Sequence, residues 1–247
     1  MGGALLESWH AIGCPLTCTV IDPVSPSATV PSIHEAHDAL STADIILLAV
    51  KPQTLPDLCP ALARLLPESA LVLSIAAGTR LETFAGWFGA RRPVIRAMPN
   101  TPAAIGKGIT VAVPNAQVSP AQKHSAQILL ESTGHLLWIT EESLMDAVTA
   151  LSGSGPAYVF YLIESLSRAG VSLGLSPEIS AALARQTVIG SAALAESQSG
   201  VPPEQLRHAV TSPNGTTAAG LAVLMDGRFD EVLQDTLHAA CARSKAL

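Results

Sequence analysis

The chain has 247 residues, of which 48% are apolar and 14% charged, which is enough apolar side chain for a substantial core and excludes a disordered chain. The net charge of −6, with 14 scattered Lys and Arg, gives no basic stripe for a phosphate backbone, so we expect no nucleic-acid partner. The apolar runs are far shorter than the roughly 20 residues of a membrane span, and the start carries neither a secretory nor a myristoylation pattern, so we expect no membrane partner and a cytoplasmic protein.

The cysteines are scattered along the chain, with no C-x-x-C pair and no histidine at ligand spacing. This spacing favours neither a zinc site nor a disulfide framework, and we expect no metal. The interpretation is that all four are buried free thiols: Cys14, Cys18, Cys59 and Cys241.

In chain order, the opening residues 1–9 indicate an amphipathic helix, because apolar side chains recur three and four residues apart. Short apolar runs then alternate with helical or turn-rich segments. This alternation predicts a largely parallel sheet covered by helices on both faces. The predicted strands are residues 17–21, 45–50, 71–75, 94–98, 109–113 and 136–139.

After residue 141 the sequence turns to long Ala- and Leu-rich stretches of helical periodicity, interrupted by short Gly- and Pro-containing segments. We therefore predict two domains. Residues 1–142 form a Rossmann-type dinucleotide-binding domain, and residues 143–247 form an all-helical domain.

A dinucleotide-binding fold feeds its first strand into a G-x-G-x-x-G turn and places an acid near the adenosine ribose at the end of the second strand. Gly2 fits the last of those glycines, and Asp22, 20 residues further on, fits the acid. Ordinary turn chemistry explains the two residues equally well. On the first interpretation the first strand and two glycines are missing, and the native polypeptide is expected to begin about a dozen residues earlier.

Four stretches carry the chemistry, and together they resemble the pyrroline-5-carboxylate reductases, the enzymes of the last step of proline synthesis. They match in order and spacing over essentially the whole chain, apart from the short front. The stretches are Leu-Ala-Val-Lys-Pro at 48–52, Arg-Ala-Met-Pro-Asn-Thr-Pro at 96–102, Ala-Leu-Ser-Gly-Ser-Gly-Pro-Ala-Tyr at 150–158, and Val-Thr-Ser-Pro-Asn-Gly-Thr-Thr-Ala-Ala-Gly at 210–220.

Three loops that follow predicted strands lie where open sheets of this class bind ligands. The resemblance implies that Val50, Lys51 and Ala77 line the nicotinamide nucleotide. From the residues alone, the favoured interpretation of Lys51 is a solvated lysine on a turn fixed by Pro52. Asn100, between two prolines, can face the nicotinamide amide or the substrate, or serve a rigid structural turn.

The segment at 211–217 is small and polar and leads into an apolar helix, so its amides and hydroxyls converge on the helix start. A substrate carboxylate fits there, whereas Ser and Thr at a helix start are also common caps. The resemblance implies substrate contacts by Ser212, Gly215, Thr216 and Thr217, with the Thr217 hydroxyl bonded to the ring nitrogen. Asn214 replaces a glycine common in the family, and Asn tolerates a positive φ.

The sequence therefore predicts NADPH- or NADH-dependent reduction of 1-pyrroline-5-carboxylate to proline, by a homodimer or larger homo-oligomer assembled through the helical domain. Asp22 favours NADH, since it would repel a 2′-phosphate, while Ser25 and Ser27 can donate to one; the resemblance favours NADPH. The alternatives are a related imine or β-hydroxyacid reductase, and a non-catalytic oligomerising relative that lacks the complete cofactor turn.

Overall fold

The computed structural model describes residues 1–11, 13, 16–22 and 36–246. Its contacts divide the chain into two compact units. The first is Met1–Ser154 together with Ala240–Leu247, and the second is Gly155–Ala239. The first unit thus continues past residue 142, where the sequence predicts the domain boundary, to Ser154.

Within the described ranges, the first unit is built on a five-stranded sheet in the order β1-β2-β3-β4-β5, in which only the β3–β4 pair is antiparallel. The strands are β1 (Ile45–Leu48), β2 (Leu71–Ser74), β3 (Val94–Met98), β4 (Gly108–Pro114) and β5 (Gly134–Trp138). The prediction of a largely parallel sheet is confirmed.

Among the residues that the structure describes, six helices accompany this sheet, together with short 3-10 turns at Pro52–Thr54, Thr101–Ile105 and Glu142–Leu144 and a π turn at Thr149–Gly153. The helices are α1 (Gly2–Ala11), α2 (His37–Ser41), α3 (Leu55–Ala63), α4 (Leu81–Phe88), α5 (Pro120–Glu131) and α6 (Met145–Val148).

The helices cover both faces of the sheet, as predicted. On one face Leu55 and Phe84, from α3 and α4, pack with Val72 of β2. On the other face Leu130 of α5 packs with Leu73 of β2. The alternation of side chains along β2 therefore feeds two separate cores, which is why all four residues of this strand are buried.

The predicted strand at residues 17–21 is wrong: residues 16–22 form no strand. Strand geometry is held by hydrogen bonds to a neighbouring backbone, and among the described residues β1 is an edge strand with no partner beyond it. Ile21 nevertheless packs against the core on the α3 and α4 face.

The opening helix α1 packs on the α5 side of the sheet, where Leu5 and Trp9 are buried with Leu129. The indole N–H of Trp9 donates to the carbonyl oxygen of Leu129 at 2.9 Å. α5 itself begins at a capping box, in which Ser119 and Gln122 exchange side-chain and backbone hydrogen bonds. The helix predicted for residues 1–9 is thus confirmed.

The second unit is all-helical, as predicted. Its helices are α7 (Gly155–Ser172), α8 (Pro177–Ser197), α9 (Pro203–Ala209), α10 (Thr216–Leu224) and α11 (Arg228–Lys245), the last of which ends in the first unit. α7 and α8 approach closely at Gly170, where an added Cβ would lie 2.1 Å from the hydroxyl oxygen of Ser180. That hydroxyl donates to the carbonyl oxygen of Ser167 at 2.6 Å.

Candidate active site

The loops after β1 and β2 leave the same edge of the sheet. Leu48 and Ser74 are paired in the parallel register, and the backbone N–H of Ile75 donates to the carbonyl oxygen of Leu48 at 3.1 Å. Val50 and Ala77 follow within three residues of this pair, so both lie at the carboxyl edge, and each is partly buried. The structure therefore brings these two predicted cofactor residues to one edge.

Gly2 starts α1 against the loop after β1. A Cβ added to Gly2 would lie only 2.8 Å from the Cβ of Ala49, a separation that real Cβ atoms essentially never show. Close packing of helix against strand is the reason that a dinucleotide-binding turn ends in glycine. Gly2 thus has the environment expected of that last glycine, next to Val50.

Lys51 is exposed and precedes the 3-10 turn Pro52–Thr54, where its carbonyl oxygen accepts from the N–H of Thr54 at 3.0 Å. Lys51 thus takes part in a turn, which is one of the two roles considered for it from the sequence. Because Lys51 is exposed, its ammonium group is also free to contact a bound anion, which is the second role.

The side chain of Asn100 holds the loop after β3 in place. Its side-chain oxygen accepts from the backbone N–H of Ile109 at 2.9 Å, which fixes the loop after β3 against the start of β4. The side-chain N–H group is the remaining donor that can reach a ligand. The hypothesis of a rigid structural turn therefore applies to Asn100, whether or not it also contacts the nicotinamide.

Three further residues considered for the cofactor, Asp22, Ser25 and Ser27, precede α2 in the sequence. Asp22 is exposed and directly follows Ile21. Ser25 and Ser27 lie outside the described residues, so the proposed contact with a 2′-phosphate has no structural description.

A cleft of about 280 Å³ opens beside these loops. One wall is formed by the start of α3 and the turn before it, and the other by α4 and the loop that precedes it. The lining residues are Pro52, Gln53, Pro56, Gly78, Thr79, Thr83 and Trp87.

An ion pair beside the carboxyl edge was missed by the sequence reasoning. Arg96 of β3 is only 3% exposed, and its Nη1 donates to Oε1 of Glu142 at 2.9 Å. The same oxygen accepts from the backbone N–H of Leu81, the first residue of α4, at 2.8 Å. The available signal was a lone arginine inside the otherwise apolar strand Val94–Met98, since a buried charge requires a partner.

In the second unit, the predicted substrate residues form one tight turn before α10. Asn214 has φ +58, so the expectation that Asn supports a left-handed turn here is confirmed. The N–H of Gly215 donates to the carbonyl oxygen of Ser212 at 3.1 Å. A Cβ on Gly215 would lie 2.4 Å from the Ser212 hydroxyl oxygen and 3.1 Å from its carbonyl oxygen, so a larger residue here would have to displace the Ser212 side chain.

α10 begins at Thr216, with Gly215 as its N-cap residue and no side-chain cap hydrogen bond. Thr216 and Thr217 are exposed. Since neither threonine hydroxyl is used as a cap, the first amides of this nine-residue helix retain their donor capacity and the partial positive charge of a helix start. The turn is therefore suited to a carboxylate.

The thiols differ from the prediction. Cys18 is exposed rather than buried, because the segment at residues 16–22 joins no sheet. Cys59 of α3 is buried, and burial raises the pKa of its thiol to about 12. Cys241 is partly exposed, and Cys14 lies outside the described residues.

Within the described part of the chain, no three His, Cys, Asp or Glu side chains are grouped to hold a metal ion, and no helix is long and apolar enough to cross a membrane.

Comparison with known proteins agrees with this geometry. Residues 142–247 match the family described as pyrroline-5-carboxylate reductase dimerisation, and residues 1–78 match NADP oxidoreductase, coenzyme F420-dependent. The pyrroline-5-carboxylate reductase of Pseudomonas aeruginosa is 45% identical over 215 residues, which are 87% of this chain and 78% of that protein. The chain belongs to the pyrroline-5-carboxylate reductase family.

Solved structures of this family share the fold. The Coxiella burnetii pyrroline-5-carboxylate reductase has a TM-score of 0.91 at 33% identity, over 99% of this chain and 94% of that one. The Plasmodium falciparum pyrroline carboxylate reductase, solved with NADP bound, has a TM-score of 0.84 at 33% identity, over 100% of this chain and 94% of that one. The prediction of a pyrroline-5-carboxylate reductase from the four motifs is thus confirmed.

Proposed function

We propose that this protein reduces 1-pyrroline-5-carboxylate to proline with NADPH or NADH, the last step of proline biosynthesis. The observation that carries the proposal is the 45% identity to a pyrroline-5-carboxylate reductase over 87% of the chain. The geometry is compatible with that reaction, because the chain offers a glycine-tight helix start at the sheet edge and an uncapped helix start in the helical unit.

The nicotinamide cofactor is assigned to the carboxyl edge of the sheet. The fit is supported at Gly2, where the space that a Cβ would fill is already closed by Ala49, so the helix start packs against the strand end as the last glycine of a dinucleotide-binding turn does. Val50, Lys51 and Ala77 would line the nucleotide, and the side-chain N–H group of Asn100 would face the nicotinamide amide. When bound, the cofactor supplies a hydride for the C=N carbon.

The substrate carboxylate is assigned to the turn before α10. The amides of Thr216 and Thr217 would hold it, since charge-assisted hydrogen bonds to helix-start amides are strong. The Gly215 amide, included with them in the sequence-based expectation, donates instead to the Ser212 carbonyl oxygen and so shapes the turn. Ser212 lies beside this turn. The hydroxyl of Thr217 would hydrogen-bond the ring nitrogen and orient the imine. A protonated imine is already electrophilic, so the protein chiefly aligns donor and acceptor.

The preference between the two cofactors is proposed to be for NADPH. The Plasmodium falciparum relative was solved with NADP bound, which supports this choice. Asp22 acts in the opposite direction, because a carboxylate repels a 2′-phosphate. Comparing the KM values of NADPH and NADH tests the choice, and a lower KM for NADH would reverse it.

We also propose that the protein works as a homodimer or larger homo-oligomer through its helical unit, in the cytoplasm. In residues 155–239 only Ser180 and Ala184 are buried, so these helices lack a core of their own. Large apolar side chains are exposed along α7, α8, α10 and α11, among them Phe160, Leu183, Val223 and Val232. A second copy of the chain would cover such a face.

The test is the reaction itself with the 247-residue chain. We expect loss of NADPH absorbance that depends on 1-pyrroline-5-carboxylate, with proline as the product by mass spectrometry. Tight NADPH or NADH binding without turnover of this substrate would favour another imine or β-hydroxyacid reductase. Absence of any cofactor binding would favour the non-catalytic relative.

A further inference from the structure

The loop between β2 and α4 is connected at both ends to Arg96 of β3, directly at its start and through Glu142 at its end. It comprises the six residues 75–80 and contains Ala77, the residue assigned to the nicotinamide nucleotide. At its start, Ser74 pairs with Arg96 in the parallel register of β2 and β3. At its end, Leu81 is held by Glu142, whose carboxylate also binds the Arg96 side chain.

The start of the loop is held by a buried serine. Ser74 is fully buried, and its hydroxyl oxygen accepts from the N–H of Ala76 at 3.3 Å. Gly78 then has φ +78, which turns the chain towards α4. Since Ala77 lies between these two fixed points, its position depends on where α4 begins.

The start of α4 is held from outside the helix. Arg80, its N-cap residue, makes no side-chain cap hydrogen bond. The first amide, that of Leu81, donates instead to Glu142, which lies 61 residues further along the chain. A carboxylate at a helix start is favourable, and the Leu81 side chain packs among Val111, Val113 and Met145.

Glu142 uses one oxygen for two donors, the Arg96 guanidinium and the Leu81 amide. Charge-assisted bonds of this kind fix geometry more closely than neutral ones. A buried ion pair contributes little to stability compared with an apolar pair of the same volume. The two bonds to one carboxylate oxygen therefore favour a positioning role over a stabilising one.

We propose that Arg96 and Glu142 are positioning residues that set the distance of the Ala77 loop from the bound nicotinamide nucleotide. The inference rests on the proposed function, because Ala77 faces a ligand only if the cofactor binds at the carboxyl edge. Neither side chain is assigned a contact with the substrate or the reacting atoms.

The decisive variants are Glu142→Ala, which removes both bonds, and Glu142→Gln, whose amide oxygen still accepts from Leu81. We expect the NADPH dissociation constant to rise about ten-fold in Glu142→Ala and less than about three-fold in Glu142→Gln. The KM for 1-pyrroline-5-carboxylate should change less than about two-fold in both. If Glu142→Ala does not fold, Glu142→Asp, whose side chain is one methylene shorter, replaces it, and its NADPH dissociation constant is compared with that of Glu142→Gln in the same way.

Arg92, two residues before β3, supplies a matched control. It is as buried as Arg96, but it lies before the amino end of β3, where it donates to the carbonyl oxygens of Pro67 and Ala70. Arg92→Met should lower the melting temperature of the first unit without changing the NADPH dissociation constant. Arg96→Met should raise that constant about ten-fold.

The two failures are distinguishable. A wild-type chain that neither binds NADPH nor turns over the substrate would contradict the proposed function. An active wild type in which Glu142→Ala or Arg96→Met lowers the melting temperature but leaves cofactor affinity unchanged would overturn the positioning role. The same holds if Arg92→Met weakens NADPH binding as much as Arg96→Met, because the effect would then follow stability alone.

Discussion

Gly2 and Ala49 are in closer contact than any side chain at residue 2 would permit. The Cβ that an alanine would place there falls 2.8 Å from the Cβ of Ala49, and a methyl group cannot rotate away. The start of α1 can therefore lie this close to the residue after β1 only because residue 2 has no side chain. Because Ala49 is followed directly by Val50, this contact also fixes the edge assigned to the cofactor.

The first prediction concerns this contact. Gly2→Ala should destabilise the chain by about 1–3 kcal/mol through overpacking and weaken NADPH binding at least about ten-fold. Gly3→Ala is the control, since nothing lies within 4 Å of a Cβ added there. It should retain the affinity and gain up to about 1 kcal/mol of stability from the better helix former. Calorimetric titration with NADPH measures the affinity of each variant, and urea unfolding measures its stability. Equal affinities in the two variants would contradict the role of Gly2.

The second prediction is that Thr217 serves chemistry more than folding. Thr217 is exposed and its hydroxyl does not cap α10, so Thr217→Ala should change stability by less than about 1 kcal/mol. Loss of a hydrogen bond to a charged nitrogen should lower kcat/KM by about 10- to 150-fold. Thr217→Ser retains the hydroxyl and should retain most activity. Unchanged turnover with a large fall in melting temperature would show that Thr217 is a structural residue.

The third prediction concerns assembly. Leu183 of α8 is 54% exposed, and Leu183→Glu should convert the assembly to monomers because a carboxylate cannot be covered by an apolar surface. Ile128 of α5, in the first unit, is 44% exposed, and Ile128→Glu is the matched control that should keep the wild-type mass. Light scattering reports the mass directly. A monomeric, active wild type at micromolar concentration would exclude assembly through the helical unit.

The fourth prediction concerns alkaline stability. The folded chain keeps the Cys59 proton to about pH 12, whereas an unfolded thiol releases it from about pH 8.5. Between those values the folded state binds more protons, so this thiol should lower the free energy of unfolding by about 1.4 kcal/mol per pH unit as pH rises. Urea unfolding of wild type and Cys59→Ala at pH 8 and pH 10 isolates this contribution. An equal loss of stability in both proteins would contradict it.

Local sequence patterns determined much of this fold. The apolar runs that became β1 to β5 and the helical periodicity after residue 141 depend on side chains close in sequence, as does the left-handed turn at Asn214. Local hydrophobic periodicity and turn chemistry are sufficient to recognise such elements. The motifs at 48–52 and 210–220 in turn indicated the family.

The tertiary structure decided what depends on distant neighbours. Residues 17–21 have the composition of a strand but form none, since a strand also needs a backbone beside it to accept its hydrogen bonds. The antiparallel direction of β4 depends on pairing with β3, which no local pattern encodes. Glu142 meets Arg96 across 46 residues of chain, and only the folded sheet brings that carboxylate to the start of α4. Periodicity is a property of neighbours in sequence, whereas a positioned charge is a property of neighbours in space.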